Sequence, residues 1–275
     1  MKRVARAPNL KRASISESII APEILNDALY NAIVGLSQFE NLKNVLEIGS
    51  SSGGGSTSAF VHGLMQNKNR PTLYCMEVSR SRFLELQRTY QKYDFIRCFN
   101  VSSVSSSRVA SENEVRQFYE SEKTSLNKYR LSVVLGWREE GLQYLAENRD
   151  FDHDGILMIK KDNNIESFDL VLIDGSEFTG MAEFNDIYGA KIICLDDTDA
   201  FKCHAVRKKL LADPDYKLLA EDQQLRNGFS IFSRVDFACQ PRAVEAVHEA
   251  MKSSRDWRKS GLRRVFRAIR RAIGR

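Results

Sequence analysis

Apolar residues along this chain fall into two alternating patterns. Over 22–39, Ile24, Leu25, Leu29, Ile33 and Leu36 recur at helical spacing and Pro22 suits a first turn, which predicts a helix. A continuous run follows, Val45-Leu46-Glu47-Ile48-Gly49, and it ends in a turn of glycine and serine. A short run of this kind predicts a strand buried on both faces. Similar runs lie at 72–78 and 95–101, reached across helical stretches at 58–66 and 82–90. Two more fill 168–174 and 191–196. Strands alternating with helices of this length predict a parallel sheet covered on both sides.

The end of the pattern differs. Runs at 216–221 and 229–234 are strand-like, but only residues 222–228 separate them. Parallel strands need a dozen or more connecting residues, so this pair is expected to be antiparallel. The expected architecture is therefore α/β, a doubly wound, mostly parallel seven-stranded sheet that ends in an antiparallel hairpin. Residues 22–245 would form that domain. A long connection between the third and fourth strands carries helical patterns at 115–119 and 133–145. This insertion, about 102–145, is either a wall of a substrate pocket or an elaborated crossover.

Composition narrows the class. The 275 residues are 43% hydrophobic and 28% charged, with 15 Gly and 5 Pro, which excludes collagen and low-complexity disorder. The five cysteines are scattered and form no CxxC pair, which favours a reducing, cytoplasmic compartment. No apolar run approaches the roughly 18–20 residues that cross a bilayer. The first twelve residues hold five basic side chains and no acid, within a basic N-terminal segment, 1–21. That start shares the Arg-rich character of transit peptides but lacks the apolar stretch of a secretory signal.

Residues 252–275 hold ten basic side chains and one acid, leaving 26 basic and 35 acidic residues over 13–251. An acidic body with basic ends is unlike a protein that coats nucleic acid, so a nucleic-acid partner is not expected. Within the tail, over 262–273, Leu262, Val265, Phe266, Ile269 and Ile273 share one side of a helical projection and five arginines the other. Such a segment suits the headgroup plane of an anionic membrane, which would make the protein peripheral on the inner face. Docking on the acidic body or on a partner is the alternative.

The candidate chemistry begins at the glycine turn. A dinucleotide fingerprint requires Gly-x-Gly-x-x-Gly, and here Gly49-x-Ser51-x-x-Gly54 lacks the second glycine. Glu47, Gly49, Ser51 and Gly53 instead form an acid-x-Gly-x-small-x-Gly string. Glu77 ends the second strand, 24 residues after Gly53, where an acid accepts both hydroxyls of a ribose. With the antiparallel ending, these residues resemble class I S-adenosylmethionine-dependent methyltransferases over about 40–235. The resemblance implies their Rossmann-like fold, with S-adenosylmethionine held at Glu47, Gly49, Ser51, Gly53 and Glu77.

A second constellation is acidic: Asp174-Gly175-Ser176-Glu177 after the fourth strand and Asp196-Asp197 after the fifth. Carboxylates so close are costly unless one is protonated or a cation lies between them, and oxygen donors suit Mg²⁺. Capping of the following helix is the competing role for Asp196–Asp199. The string resembles metal-dependent O-methyltransferases of the catechol type, and more closely the sugar O-methyltransferases of macrolide biosynthesis. That resemblance implies Asp174, Asp196 and Asp197 as metal ligands. The catalytic base, a His or Lys in those enzymes, falls here on Glu177, with Asp174 as its catalytic companion and His204 as a weaker candidate.

The expected activity is divalent-metal-assisted methyl transfer to a hydroxyl of a small-molecule or glycan acceptor, a sugar or another polyol. A cephalosporin hydroxylase-like branch shares the turn and the acidic pair, so a hydroxylase is one alternative. A nucleic-acid methyltransferase and a non-catalytic cofactor-binding scaffold are the others.

Overall fold

Seven strands form one sheet in the computed structural model, which describes residues 18–19, 21–237 and 244–252. In chain order they are β1 (Asn44–Ile48), β2 (Thr72–Met76), β3 (Ile96–Phe99), β4 (Leu170–Ile173), β5 (Ile192–Asp196), β6 (Tyr216–Asp222) and β7 (Phe229–Arg234). In space they run β3-β2-β1-β4-β5-β7-β6. Strands β1 to β5 pair in parallel, and β7 is antiparallel to both β5 and β6. The architecture is the one the apolar runs and the short 222–228 connection predict.

Among the described residues, helices α1 (Ala28–Ser37), α2 (Ser56–Leu64), α3 (Arg80–Tyr90), α4 (Glu112–Ser121), α5 (Leu131–Glu147), α6 (Gly155–Asp162), α7 (Gly180–Ile187) and α8 (Phe201–Ala212) accompany the sheet. Residues 244–252 are also helical. Successive strand side chains point to opposite faces, and the core divides accordingly. Val45, Leu73, Leu170 and Ile192 pack with α1, α2 and α3, together with Val247 of the last helix. Leu46, Tyr74, Val171 and Ile193 pack with α6, α7 and α8. Both faces are buried, which is why the central strands carry continuous apolar runs.

One expectation needs adjustment. The helix expected over 22–39 begins only at Ala28, because Asn26 takes φ +61° and the Asp27 carboxylate accepts the Tyr30 N–H at 2.9 Å. Asp27 is thus the N-cap, and residues 21–26 are released to cross the sheet's carboxyl edge. Helices α6 and α7 carry no periodicity long enough to predict them.

The insertion forms its own small core. Val115 of α4 and Val134 of α5 bury themselves with Leu126 against Phe178 and Ala200, which precede α7 and α8. The Ala110 N–H donates to the Phe178 carbonyl and the Ser125 N–H to the Asp199 carbonyl, both at 2.9 Å. It therefore buttresses the loops after β4 and β5. The two basic ends, with the amphipathic 262–273 stretch, lie outside the described residues. Among the described residues no helix is long and apolar enough to cross a membrane.

Candidate functional site

A cavity of about 380 Å³ opens across the carboxyl ends of β1, β2, β4 and β5, and residues 21–24 form part of its wall. The chain winds away from β1 in both directions here, and α/β sheets bind ligands at such a switch point.

The glycine turn makes one wall. Gly49 sits at φ +86°, and its N–H and that of Ser50 both donate to the Met76 carbonyl, at 3.1 and 2.9 Å. A Cβ at Gly49 would lie 2.1 Å from the Asp174 carbonyl oxygen, so only glycine fits. Ser51, at φ +50°, adopts the left-handed backbone without being a glycine. Gly53 serves differently. A Cβ there would come within 2.5 Å of the Tyr90 ring, and its carbonyl accepts the Tyr90 hydroxyl at 2.6 Å. It packs the turn on α3, while Gly49, Ser51 and Gly54 line the cavity.

The two glutamates divide their labour. Glu47 is fully buried beneath the turn and does not line the cavity. Its Oε2 accepts the Ser50 and Thr57 hydroxyls, both at 2.7 Å, and burial pushes its carboxyl up. Its Oε1 has no partner among the described residues. Glu47 is thus a brace for the turn. Glu77 does line the cavity, although it is only 6% exposed. Its Oε2 accepts the Ser51 N–H and its Oε1 the Ser79 N–H, both at 2.8 Å, so the carboxylate is fixed at two points. Each oxygen retains acceptor capacity for a ligand.

The opposite wall is acidic: Asp174, Asp196 and Asp197 line it, as the neighbouring β4 and β5 require. Two cations unforeseen from the sequence accompany them. Lys202, in the first turn of α8, places Nζ 2.7 Å from Asp174 Oδ1 and 2.7 Å from Asp197 Oδ2, and its side chain is 5% exposed. Burial opposes its charge, but Asp174, Asp197 and Asp196 outweigh burial and hold the ammonium protonated. Arg226, from the β6–β7 connection, donates to Asp196 Oδ1 at 2.5 Å and also bonds Asp27.

This donor set does not fit a divalent ion. Each of the three carboxylates already has one oxygen on a buried cation, Asp174 and Asp197 on the Lys202 ammonium and Asp196 on the Arg226 guanidinium, so a divalent ion would meet like charge here. Metal ligation by Asp174, Asp196 and Asp197 is therefore not supported, and among the described residues no cluster of His, Cys, Asp and Glu suits a metal. Helix capping by these residues is not their main role either. Among the described residues, Asp197 and Arg226 join Ser51 as wall residues at positive φ, both +55°. Backbone strain of this kind gathers where structure is over-determined by function.

Glu177, the expected base, is turned away from the cavity. Its Oε1 accepts the Lys202 backbone N–H at 3.2 Å, so it caps α8, and burial pushes its carboxyl up to about 7. His204 lies farther along α8, with Nε2 3.3 Å from Glu122 Oε2 and its ring on Phe118. No local signal marks Lys202 or Arg226. Lys202 is close in sequence to Asp197 but 28 residues from Asp174, and Arg226 is 30 residues from Asp196, so only the folded sheet assembles these groups.

No protein-family model matches the chain, and no curated protein does. Solved structures resemble it in outline. An O-methyltransferase from Bacillus cereus in complex with SAH aligns at 15% identity and a TM-score of 0.41, over 74% of this chain and 80% of its own. The O-methyltransferase TomG from Streptomyces achromogenes, involved in tomaymycin synthesis and in complex with SAM, aligns at 14% identity and a TM-score of 0.40, over 75% and 78%. A methyltransferase from Geobacter sulfurreducens aligns at 10% identity and a TM-score of 0.43, over 79% and 82%. At such values the likeness fixes neither activity nor substrate, and the site must be read from its own residues.

Proposed function

We propose that the chain is an S-adenosylmethionine-dependent O-methyltransferase. The observation that carries this reading is Glu77, a buried carboxylate pinned at the end of β2, facing a cavity whose adjoining wall is the glycine turn. A fixed acceptor there suits the two hydroxyls of a ribose. Met76, Val78 and Val101 supply apolar flanks for a base, and the narrow backbone at Gly49 and Ser51 leaves room for an amino-acid end. Glu23, on the wall, together with the Asp174 oxygen that Lys202 does not bind, favours a ligand that carries a sulfonium and an ammonium.

When bound, S-adenosylmethionine supplies a methyl group open to attack by an oxygen. The chain's part is to hold that oxygen in line and to receive its proton. Asp174 is the wall carboxylate placed for this, with a quarter of its side chain exposed. The acceptor class we favour is the hydroxyl of a sugar or other polyol, since Ser102, Ser103 and Ser176 make one side of the cavity polar. We further propose that the basic 262–273 segment brings the enzyme to an anionic membrane surface. Cosedimentation with anionic vesicles should then fall sharply for a chain ending at Lys252, and unchanged sedimentation would reject that address.

Titration calorimetry tests the cofactor assignment. Glu77→Ala should weaken S-adenosylmethionine binding by about 2 kcal/mol, the scale of a lost charged acceptor. Equal affinity in wild type and variant would sink the placement. A methyl-transfer screen against sugars, nucleotide-sugars and lipid-linked glycans then tests the acceptor.

A further inference from the structure

The Asp174–Lys202–Asp197 bridge extends the methyltransferase reading and rests on it. We infer that Lys202 is the resident cation of the acceptor side, its ammonium standing where a divalent ion would have to bind, so that the site positions its acceptor without metal.

Three features carry the inference. The ammonium meets Asp174 Oδ1 and Asp197 Oδ2 at 2.7 Å each, so the two carboxylates are already bridged by a cation. The third carboxylate, Asp196, is held by Arg226 at 2.5 Å. The lysine is also fixed from behind. Its backbone N–H donates to Glu177 Oε1, and α7 begins on its carbonyl, where a Cβ at Gly180 would lie 1.8 Å away. A side chain 5% exposed has no solvent to swing into. A divalent ion would have to expel a buried, paired ammonium or share its carboxylates against like charge.

An ammonium differs from a metal in what it can do next. It has three donors and no open coordination position, and two of the donors are taken. Lys202 does not line the cavity, so it does not meet the acceptor. Contact with the acceptor passes to Asp174, which is held in register by the bridge. Lys202 is thus a positioning residue, and the carboxylate it holds is the one that meets substrate.

Mn²⁺ titration of the full chain, followed by electron paramagnetic resonance, tests this apart from activity. Wild type should show no specific Mn²⁺ binding. Lys202→Ala should bind Mn²⁺ at least roughly tenfold more tightly than the weak non-specific association of wild type, about 1.4 kcal/mol, and adding Asp174→Asn should abolish the gain. Circular dichroism melts establish that each variant is folded. Wild-type Mn²⁺ binding that Asp174→Asn removes would overturn the inference whether or not the lysine variant folds. A folded Lys202→Ala that binds no tighter than wild type would overturn it as well. Calorimetry with S-adenosylmethionine on the same wild-type sample separates the two readings. A protein that binds no S-adenosylmethionine contradicts the methyltransferase assignment, whereas one that binds both S-adenosylmethionine and Mn²⁺ contradicts only the resident cation.

Discussion

Ser51 stands where the resembling methyltransferase turn carries its middle glycine, and it pays for that with φ +50°. A non-glycine residue there costs roughly 1–2 kcal/mol of backbone strain, most for a β-branched side chain. Ser51→Gly should therefore leave stability unchanged or raise it, and Ser51→Val should lower it by about 1–2 kcal/mol in urea denaturation. A stable Val variant would show that the turn is less constrained than its dihedral angles imply.

Glu177 gives a prediction in pH. Its carboxyl is raised to about 7 from an ordinary value of 4.5, first of all by burial. The folded chain then keeps a proton that the unfolded chain has released, so this group lowers stability as pH rises from about 4.5 to about 7, and no further above that. Comparing wild type with Glu177→Gln in urea at pH 5 and pH 8 isolates it. Wild type should lose about 2 kcal/mol relative to the variant between the two. A difference that does not move with pH would place the carboxylate in water.

The residues legible in the sequence were those whose neighbours are local. Gly49, Ser51 and Gly53 are read from one turn, and Glu77 from the end of a strand. Their separate duties were not legible, since the packing of Gly53 on Tyr90 and the burial of Glu47 depend on α3 and α2. Lys202 and Arg226 were invisible for the same reason at longer range. Asp27 and Arg226 are 199 positions apart.

At the scale of elements, Arg226 is a latch. It ties the N-cap of α1 to the end of β5 from the β6–β7 connection, with its side chain 12% exposed. Removing one partner of a buried ion pair leaves the others uncompensated and costs about 3–5 kcal/mol. Arg226→Met should destabilise the protein by about 3 kcal/mol, and Asp27→Asn added to it should cost much less than it does alone. Additive effects would contradict a shared network. The insertion was legible as helices but not as a buttress, because Val115 and Val134 find their partners on Phe178 and Ala200, in loops that carry no periodic signal. Helices α6 and α7 have eight residues each, too short for a repeating apolar stripe to stand out.

For the molecule as a whole, the number of strands and their directions, though not their order, follow from a few local facts. Apolar runs alternate with helices through β5, and the short 222–228 connection forces the reversal at β7. The acidic cluster shows the limit of such reasoning. Three carboxylates converge as the topology demands, but the counter-charge that answers them comes from the protein itself. S-adenosylmethionine is expected to occupy the cavity between the glycine turn and Glu77. A crystal structure with S-adenosylhomocysteine tests it most directly. Density is expected across the carboxyl ends of β1 and β4, with the ribose hydroxyls on the Glu77 carboxylate. A ligand bound elsewhere, or a cavity that stays empty at saturating S-adenosylhomocysteine, would contradict it.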